Sequence, residues 1–378
     1  MIFTCDLKTM TKSVFNVMLA TATSSPTPIL DGIFLECKEG SLYLKAFNNE
    51  LSISTSIEIN KMGSKEGKTV INGKMLGEIL RKLSGETVSF EMKANNKINI
   101  RSGNSLLSVM GFDGDDYPEI PQRVEGNEFE INAEILREMI AKTMFATSDK
   151  EYTPIYTGCL FKTNGDRFEI VAVDGHRLAL KREDNNSDVV LDFVIPKRSL
   201  IEIMKLLSEY SDENISIVSD DKTAFIKINE YEIATKLLKG DFLNYEQTIQ
   251  KEFLHFFNID PGLLIESIET AMVIINDRIK TPVTAIISNG NISIKSETTV
   301  GKADTNISID YTGDNYTIGF NSKYMLDALK ACSGDEIVIC FNDEVSPIMI
   351  KPAEGDEFVY IILPVKLSVI TKEAMEDN

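Results

Sequence analysis

Three thirteen-residue segments of the chain, Ile71–Leu83, Ile195–Leu207 and Phe320–Cys332, carry the same order of apolar and polar positions without a gap. Leu76/Leu200/Met325, Ile79/Ile203/Ala328, Leu80/Met204/Leu329 and Leu83/Leu207/Cys332 are apolar in register. At about 100° per residue these positions form one stripe, so each segment is predicted to be a helix with one face on a sheet. Ahead of each stands a Thr-Pro-aliphatic tripeptide: Thr27-Pro28-Ile29, Thr153-Pro154-Ile155 and Thr281-Pro282-Val283. Ahead of that lies another amphipathic stretch, at Leu7–Ala20, Ala133–Ala146 and Leu263–Ile275. Alternating runs such as Ser41–Lys45, Phe168–Val173 and Asn291–Lys295 read as strands. Each unit therefore reads helix, strands, helix, strands. Two independent markers in the same spacing identify a domain copied three times. Breaks near Pro121–Asn127 and Thr248–Glu252 set expected domains at residues 1–124, 125–249 and 250–378. Strands mixed with helices, without strict βαβ alternation, predict an α+β fold with helices packed on sheets.

Composition narrows the function. Of 378 residues 43% are hydrophobic, no apolar run reaches membrane-spanning length, and the N-terminus lacks the layout of a secretory signal. Cys5, Cys37, Cys159, Cys332 and Cys340 are odd in number and show no CxxC pairing, which argues against a disulfide framework or zinc site and for a reducing cytoplasm. A net charge of −19, taken as a sum, argues against nucleic acid. Its distribution argues otherwise. Lys74/Arg198/Lys323 and Arg81/Lys205/Lys330 are basic in all three copies, on the side of each helix away from the apolar stripe. Basic helices inside an acidic protein would suit a ring or groove that contacts phosphates without reading bases.

Catalytic motifs fare poorly. Gly63–Thr69 resembles a Walker A loop, but only three residues separate its glycines where the phosphate cradle needs four. Asp174 and His176 could suggest an acid–base pair, yet Gly175 between them signals a turn, and no nucleophile is linked to them. His255, within Phe253–Phe257, reads as a structural histidine. No carboxylate set forms a recognisable metal or glycosidase site. These residues offer no enzyme and call for no cofactor or metal.

The three tandem domains, the segment Val173-Asp174-Gly175-His176-Arg177-Leu178-Ala179 and the segment Tyr360–Leu367, with Pro364, resemble the bacterial DNA polymerase III β-subunit family of sliding clamps. The resemblance covers residues 1–367. It implies a head-to-tail homodimeric ring with helices lining the hole and sheets outside. Such a ring encircles duplex DNA, tethers the DNA polymerase III catalytic subunit, and is opened by an ATP-driven clamp loader. It also implies a hydrophobic pocket for linear peptides of polymerases, loader and repair proteins. Matched residue by residue, the pocket uses Gly175, His176, Arg177, Leu178, Leu243, Thr248, Ile361, Leu363, Pro364 and Val365. Dimer contacts by the same resemblance pair Leu107 and Val109 with Val273 and Ile274. Several positions depart from the family pattern. Leu243 replaces a usual proline, Thr248 a more apolar residue, and Thr23-Ser24-Ser25 a loop that commonly carries a DNA-touching arginine. The third upstream helix region has Asp260, Glu266 and Glu269 and no basic residue, and Ser368–Asn378 is an acidic extension beside the expected pocket. These departures leave an alternative in play: a clamp-fold interaction scaffold that is not loaded as the main replicative clamp.

Overall fold

The protein is described by a computed structural model covering residues 1–22, 26–150, 152–275 and 282–367. The first repeat contains β1 (Ile2–Asp6), α1 (Leu7–Met18), β2 (Gly32–Lys38), β3 (Ser41–Phe47), β4 (Leu51–Glu58), β5 (Gly67–Asn72), α2 (Gly73–Lys82), β6 (Thr87–Met92), β7 (Lys97–Ser102), β8 (Ser105–Met110) and the short β9 (Phe112–Asp113). The second contains β10 (Phe129–Asn132), α3 (Ala133–Ala141), β11 (Gly158–Asn164), β12 (Arg167–Val173), β13 (Arg177–Asp184), β14 (Asp192–Pro196), α4 (Lys197–Glu209), β15 (Asn214–Ser219), β16 (Thr223–Ile228) and β17 (Tyr231–Lys236). The third contains β18 (His255–Ile259), α5 (Pro261–Met272), β19 (Val283–Ser288), β20 (Asn291–Thr298), β21 (Gly301–Ser308), β22 (Tyr316–Phe320), α6 (Ser322–Ala331), β23 (Ile337–Phe341), β24 (Ile348–Pro352) and β25 (Phe358–Ile362). All six predicted helices form. The second upstream one stops at Ala141, and Met144–Ala146 closes as a separate 3-10 turn.

Local chemistry recurs with the repeat. The first helix of each copy is capped by a side-chain oxygen. Asp6 accepts from the Thr9 amide at 2.7 Å, Asn132 from Glu134 at 3.0 Å and Asp260 from Gly262 at 2.7 Å. Asn72 and Asn321 cap α2 and α6, whereas Pro196 stands at the corresponding place before α4. The predicted stripes are buried at Leu76, Leu80, Leu200, Ile203, Leu207, Met325, Ala328 and Leu329, while Ile79, Leu83, Met204 and Cys332 lie at the stripe's margin, half-buried. Each copy also turns its β2–β3-type hairpin on a glycine with left-handed backbone, Gly40, Gly165 and Gly290, at φ +80°, +62° and +75°. The Walker-like Gly63–Thr69 segment is a turn leading into β5, without the strand–loop–helix context of a phosphate loop.

The chain divides into two compact units, one of Met1–Arg137 with Arg198–Leu237, the other of Glu138–Lys197 with Leu238 onward. The first holds a four-stranded sheet, β1-β6-β7-β8, and a nine-stranded sheet, β10-β15-β16-β17-β4-β3-β2-β5-β9. The second holds an eight-stranded sheet, β14-β11-β12-β13-β25-β24-β23-β18, and a four-stranded sheet, β21-β20-β19-β22. The units cut across the repeat because strands of successive copies pair. In the first unit β4 joins β17, with Ser52 opposite Ala234 and Ser54 opposite Glu232. In the second β13 joins β25, with Leu178 opposite Ile361 and Leu180 opposite Val359. Counted from the residue pairs that close the two hairpins, Lys38 with Ser41 and Asn164 with Arg167, Ser52 and Leu178 are equivalent positions, so the two seams share one register. Among the described residues, β8 and β21 are edge strands with one side unpaired.

Candidate functional site

The seam between β13 and β25 gathers most of the residues that the resemblance assigns to the peptide pocket. It begins at a tight turn. Gly175 sits at φ +88°, and the Asp174 carboxylate accepts hydrogen bonds from the His176 and Arg177 amides at 2.8 and 3.0 Å. Asp174 and His176 therefore form a turn and do not work as an acid–base pair. The Leu363 amide donates to the His176 carbonyl at 2.8 Å, and the Val365 amide to Gly319 at 2.7 Å, so the segment after β25 is tied on both sides. Gly319 is required there, because a Cβ would lie 2.8 Å from the Val365 oxygen.

Arg177 is held by four groups. Its guanidinium pairs with Asp174 at 3.0 Å and Asp327 at 2.7 Å, and lies 4.2 Å from the Tyr324 ring centroid and 5.5 Å from that of Phe145. Two carboxylates and two aromatic faces leave its side chain 9% exposed, a fully compensated cation. The His176 ring stacks toward Tyr324 at 6.4 Å.

Beyond the turn, Leu178 and Ile361 are buried within an apolar cluster that also contains Ile155, Val173, Leu180, Tyr245 and Val359. Tyr156, Leu238, Phe242, Ile249 and Phe253 pack against it as partly buried hydrophobics. Tyr156 and Phe242 meet edge to face at 5.7 Å. Leu243, Leu363 and Val365 are exposed, and Pro364 is half-buried. Thr248 turns its hydroxyl back onto the Tyr245 carbonyl at 2.7 Å. Leu178 and Ile361 thus share a buried apolar bed with Tyr245, while the exposed Leu363 and Val365 follow β25 in the chain and the exposed Leu243 stands two residues before Tyr245. Exposed apolar groups around a buried bed suit an amphipathic linear segment.

Sequence reading missed Tyr324, Asp327, Phe145, Tyr156, Phe242 and Phe253. One signal was present, since Ile155 and Tyr156 directly follow the Thr153-Pro154 mark that served only to count repeats. The Arg177 partners on α6 had no such signal, because they are far away in sequence.

Tyr245 and Glu169 are further members. Tyr245 donates its hydroxyl to the Glu169 carboxylate, and burial followed by that bond pushes the phenol well above its usual range, so it stays a donor. The other Glu169 oxygen accepts from Arg182 Nε at 2.7 Å.

The basic residues of the repeated helices, Lys74, Arg81, Arg198, Lys205, Lys323 and Lys330, are all exposed. Lys205 pairs with Glu202 and Lys330 with Glu269 on α5, each at 2.7 Å. Leu107 and Val109 lie half-buried on one face of edge strand β8, alternating with the exposed Leu106, Ser108 and Met110. Val273 is exposed at the end of α5, and Ile274 lies against β21, its Cγ2 3.8 Å from where a Gly301 Cβ would stand. His255 is structural, bonded to Tyr316 and Tyr311 hydroxyls at 2.7 and 3.2 Å and stacked on Phe341. Among the described residues no cluster of three or more His, Cys, Asp or Glu could hold a metal, and no helix is long and apolar enough to cross a membrane. The five cysteines are free. Thr23–Ser25, Thr281 and Ser368–Asn378 lie outside the described residues.

Three models of one family match in tandem. They are the N-terminal, central and C-terminal domains of the DNA polymerase III beta subunit, over residues 1–121, 130–244 and 246–366. The chain belongs to the DNA polymerase III beta subunit family. Its architecture is three tandem clamp domains of mixed helix and strand. It is 29% identical over 376 residues to the beta sliding clamp of Bacillus subtilis, covering 96% of this chain and 99% of that one. A DNA polymerase III beta subunit structure from Eubacterium rectale superposes with a TM-score of 0.93 at 26% identity, covering 97% and 99% of the two chains. A sliding clamp from Bartonella birtlesii, solved bound to griselimycin, gives a TM-score of 0.91 at 26% identity, covering 97% and 100%.

Proposed function

We propose that the protein is a DNA sliding clamp: two copies close head to tail into a ring around duplex DNA and tether DNA polymerase III and other replication and repair proteins. Three clamp domains, residues 1–124, 125–249 and 250–378, make half of that ring. The observation that carries this reading is the shared register of the two seams together with the two open edges. Carrying the register onto β8 of one copy and β21 of another sets Leu107 opposite Ala303 and Ser108 opposite Lys302. The half-buried Leu107 and Val109 then face the side where the other copy supplies Val273 and Ile274. The exposed lysines and arginines of α2, α4 and α6 line the hole and touch phosphates without sequence preference. Their partial neutralisation by Glu202 and Glu269 keeps contact weak, which favours sliding. The seam between β13 and β25 receives linear peptides of the polymerase, the clamp loader and other partners. In this role the protein works in the cytoplasm, catalyses nothing and needs no cofactor.

A cysteine pair tests ring closure. With Leu107→Cys and Ala303→Cys together, oxidation should yield a covalent dimer, while either change alone should not. Equal cross-linking by the single variants, or none by the double variant, would reject the proposed seam. The same Glu202 and Glu269 ion pairs, with the acidic net charge, favour the second reading of an interaction scaffold. That reading predicts griselimycin binding, with the clamp loader unable to place the protein on DNA.

A further inference from the structure

We propose that Tyr245, Glu169 and Arg182 form a clasp that sets one wall of the peptide site, with Tyr245 and Glu169 as positioning residues for the loop carrying Leu243 and Thr248. The inference rests on the pocket reading above and adds residues that the family resemblance did not supply.

The loop from Leu238 to Phe253 packs on the apolar cluster of the eight-stranded sheet with little regular structure, a single bridge of Leu238 to Val194 and the 3-10 turn Tyr245–Gln247. Tyr245 is its one fully buried residue among Asp241–Gln250. The backbone on both sides hangs on it. The Tyr245 amide donates to the Leu243 carbonyl at 2.8 Å, and the Tyr245 carbonyl accepts from the Thr248 and Ile249 amides at 2.9 and 3.2 Å and from the Thr248 hydroxyl at 2.7 Å. Wherever the Tyr245 ring is fixed, Leu243 and Thr248 follow.

The ring is fixed by charge as well as packing. Its hydroxyl donates to Glu169 on β12, whose side chain is 3% exposed and whose second oxygen accepts from Arg182 on β13. A carboxylate this buried needs every donor it has, so the loop cannot lift away without leaving it short of one. Lys162 lies over the Tyr245 ring at 5.4 Å and reaches Glu246 at 3.3 Å, and Asn164 reaches the same carboxylate at 3.2 Å. Two successive loop residues are thereby fastened to the strands that form the apolar bed.

The internal repeat supplies a control. Counted from the residue pairs that close the two hairpins, the first-repeat equivalents of Glu169 and Arg182 are Tyr43 and Ser56. There the crossing segment carries Tyr117, tilted by 33° against Phe34 at 5.4 Å, and no carboxylate receives its buried hydroxyl. The clasp belongs to the β13–β25 seam alone, where the peptide site lies.

Tyr245→Phe removes one hydroxyl and tests the clasp. In the free protein, amide hydrogen exchange across residues 243–249 should quicken about tenfold while β12 and β13 stay protected. Griselimycin, measured by titration calorimetry, should bind about tenfold more weakly. Glu169→Gln keeps an acceptor for the hydroxyl and should stay within about threefold of the wild type, while Glu169→Leu should match Tyr245→Phe. If Tyr245→Phe does not fold, the Gln and Leu variants at Glu169 carry the same comparison. Unchanged exchange in the loop, or a Glu169→Leu variant that binds as the wild type does, would overturn the clasp. Failure of the wild type to bind griselimycin, or undiminished binding by Leu363→Asp, would instead overturn the pocket reading, leaving the exchange result to judge the clasp by itself.

Discussion

The two seams are one backbone with two chemistries. Both begin at an Asx turn with left-handed backbone at its centre: Asn48 accepts from the Glu50 and Leu51 amides at 3.0 and 2.8 Å with Asn49 at φ +75°, as Asp174 accepts from His176 and Arg177 around Gly175. Both pair the following strand in one register. Yet the side chains facing the crossing loop differ at every equivalent place. Where one seam shows Leu178, Ile361, Leu180 and Val359, the other shows Ser52, Ala234, Ser54 and Glu232. Above the latter lies a groove of about 450 Å3 lined by Tyr43, Lys45, Arg123, Lys227 and Glu232 among others. Where one seam buries Leu51, the other holds Arg177 between two aspartates. The fold supplies a junction of the same register twice, and four positions on it decide whether it is an apolar bed.

The comparison breaks most severely if those positions are exchanged. Leu178→Ser with Ile361→Ala gives the apolar seam the residues of the polar one. Griselimycin affinity should fall at least about a hundredfold, and thermal unfolding should show a loss of about 3 kcal/mol or more from the emptied bed. The converse change, Ser52→Leu with Ala234→Ile, should leave griselimycin affinity within about twofold, since that seam is not the proposed site. Binding that survives the first change would show that the bed is not what recognises the ligand.

Next in size is the turn residue. Arg177→Leu, the residue of the other seam, leaves Asp174 and Asp327 without their cation and should cost about 3 kcal/mol in denaturant unfolding. Asp327→Asn should cost about 1 kcal/mol, because Asp174 still pairs with the arginine. Equal losses would mean that Tyr324 and Phe145, not the carboxylates, hold Arg177.

Much of this was legible in the sequence, for identifiable reasons. Helices α2, α4 and α6 announced themselves because an apolar stripe at fixed spacing is a local property, and the three copies confirmed one another. The turn at Asp174-Gly175 was legible because an Asp-Gly pair is a local turn signal, the carboxylate accepting from the following amides and glycine adopting left-handed backbone at least cost. Pairing between repeats was not. Nothing local says that β4 joins β17 or that Arg177 reaches α6, since those contacts depend on strands brought together over long separations. Glu169 was hidden for a related reason: in a strand pattern it reads as one more polar alternation, and its burial depends on a loop more than seventy residues further on.

A smaller effect concerns the thiols. Burial pushes Cys5 and Cys159, one on each unit, up to about 12. At pH 8 both are protonated, below a pKa raised by folding, so thiol reagents should modify them slowly until denaturant exposes them. Rapid labelling of Cys159 in the native protein would show that the second unit opens more readily than its packing implies.

The central claim is topological, and retention on DNA tests it most directly. Protein placed by the clamp loader on a nicked circular duplex should remain bound through gel filtration at a salt concentration that screens phosphate contacts. Cutting the circle once should release it. Retention that persists on the linear product would contradict a closed sliding ring and leave a protein that merely binds DNA.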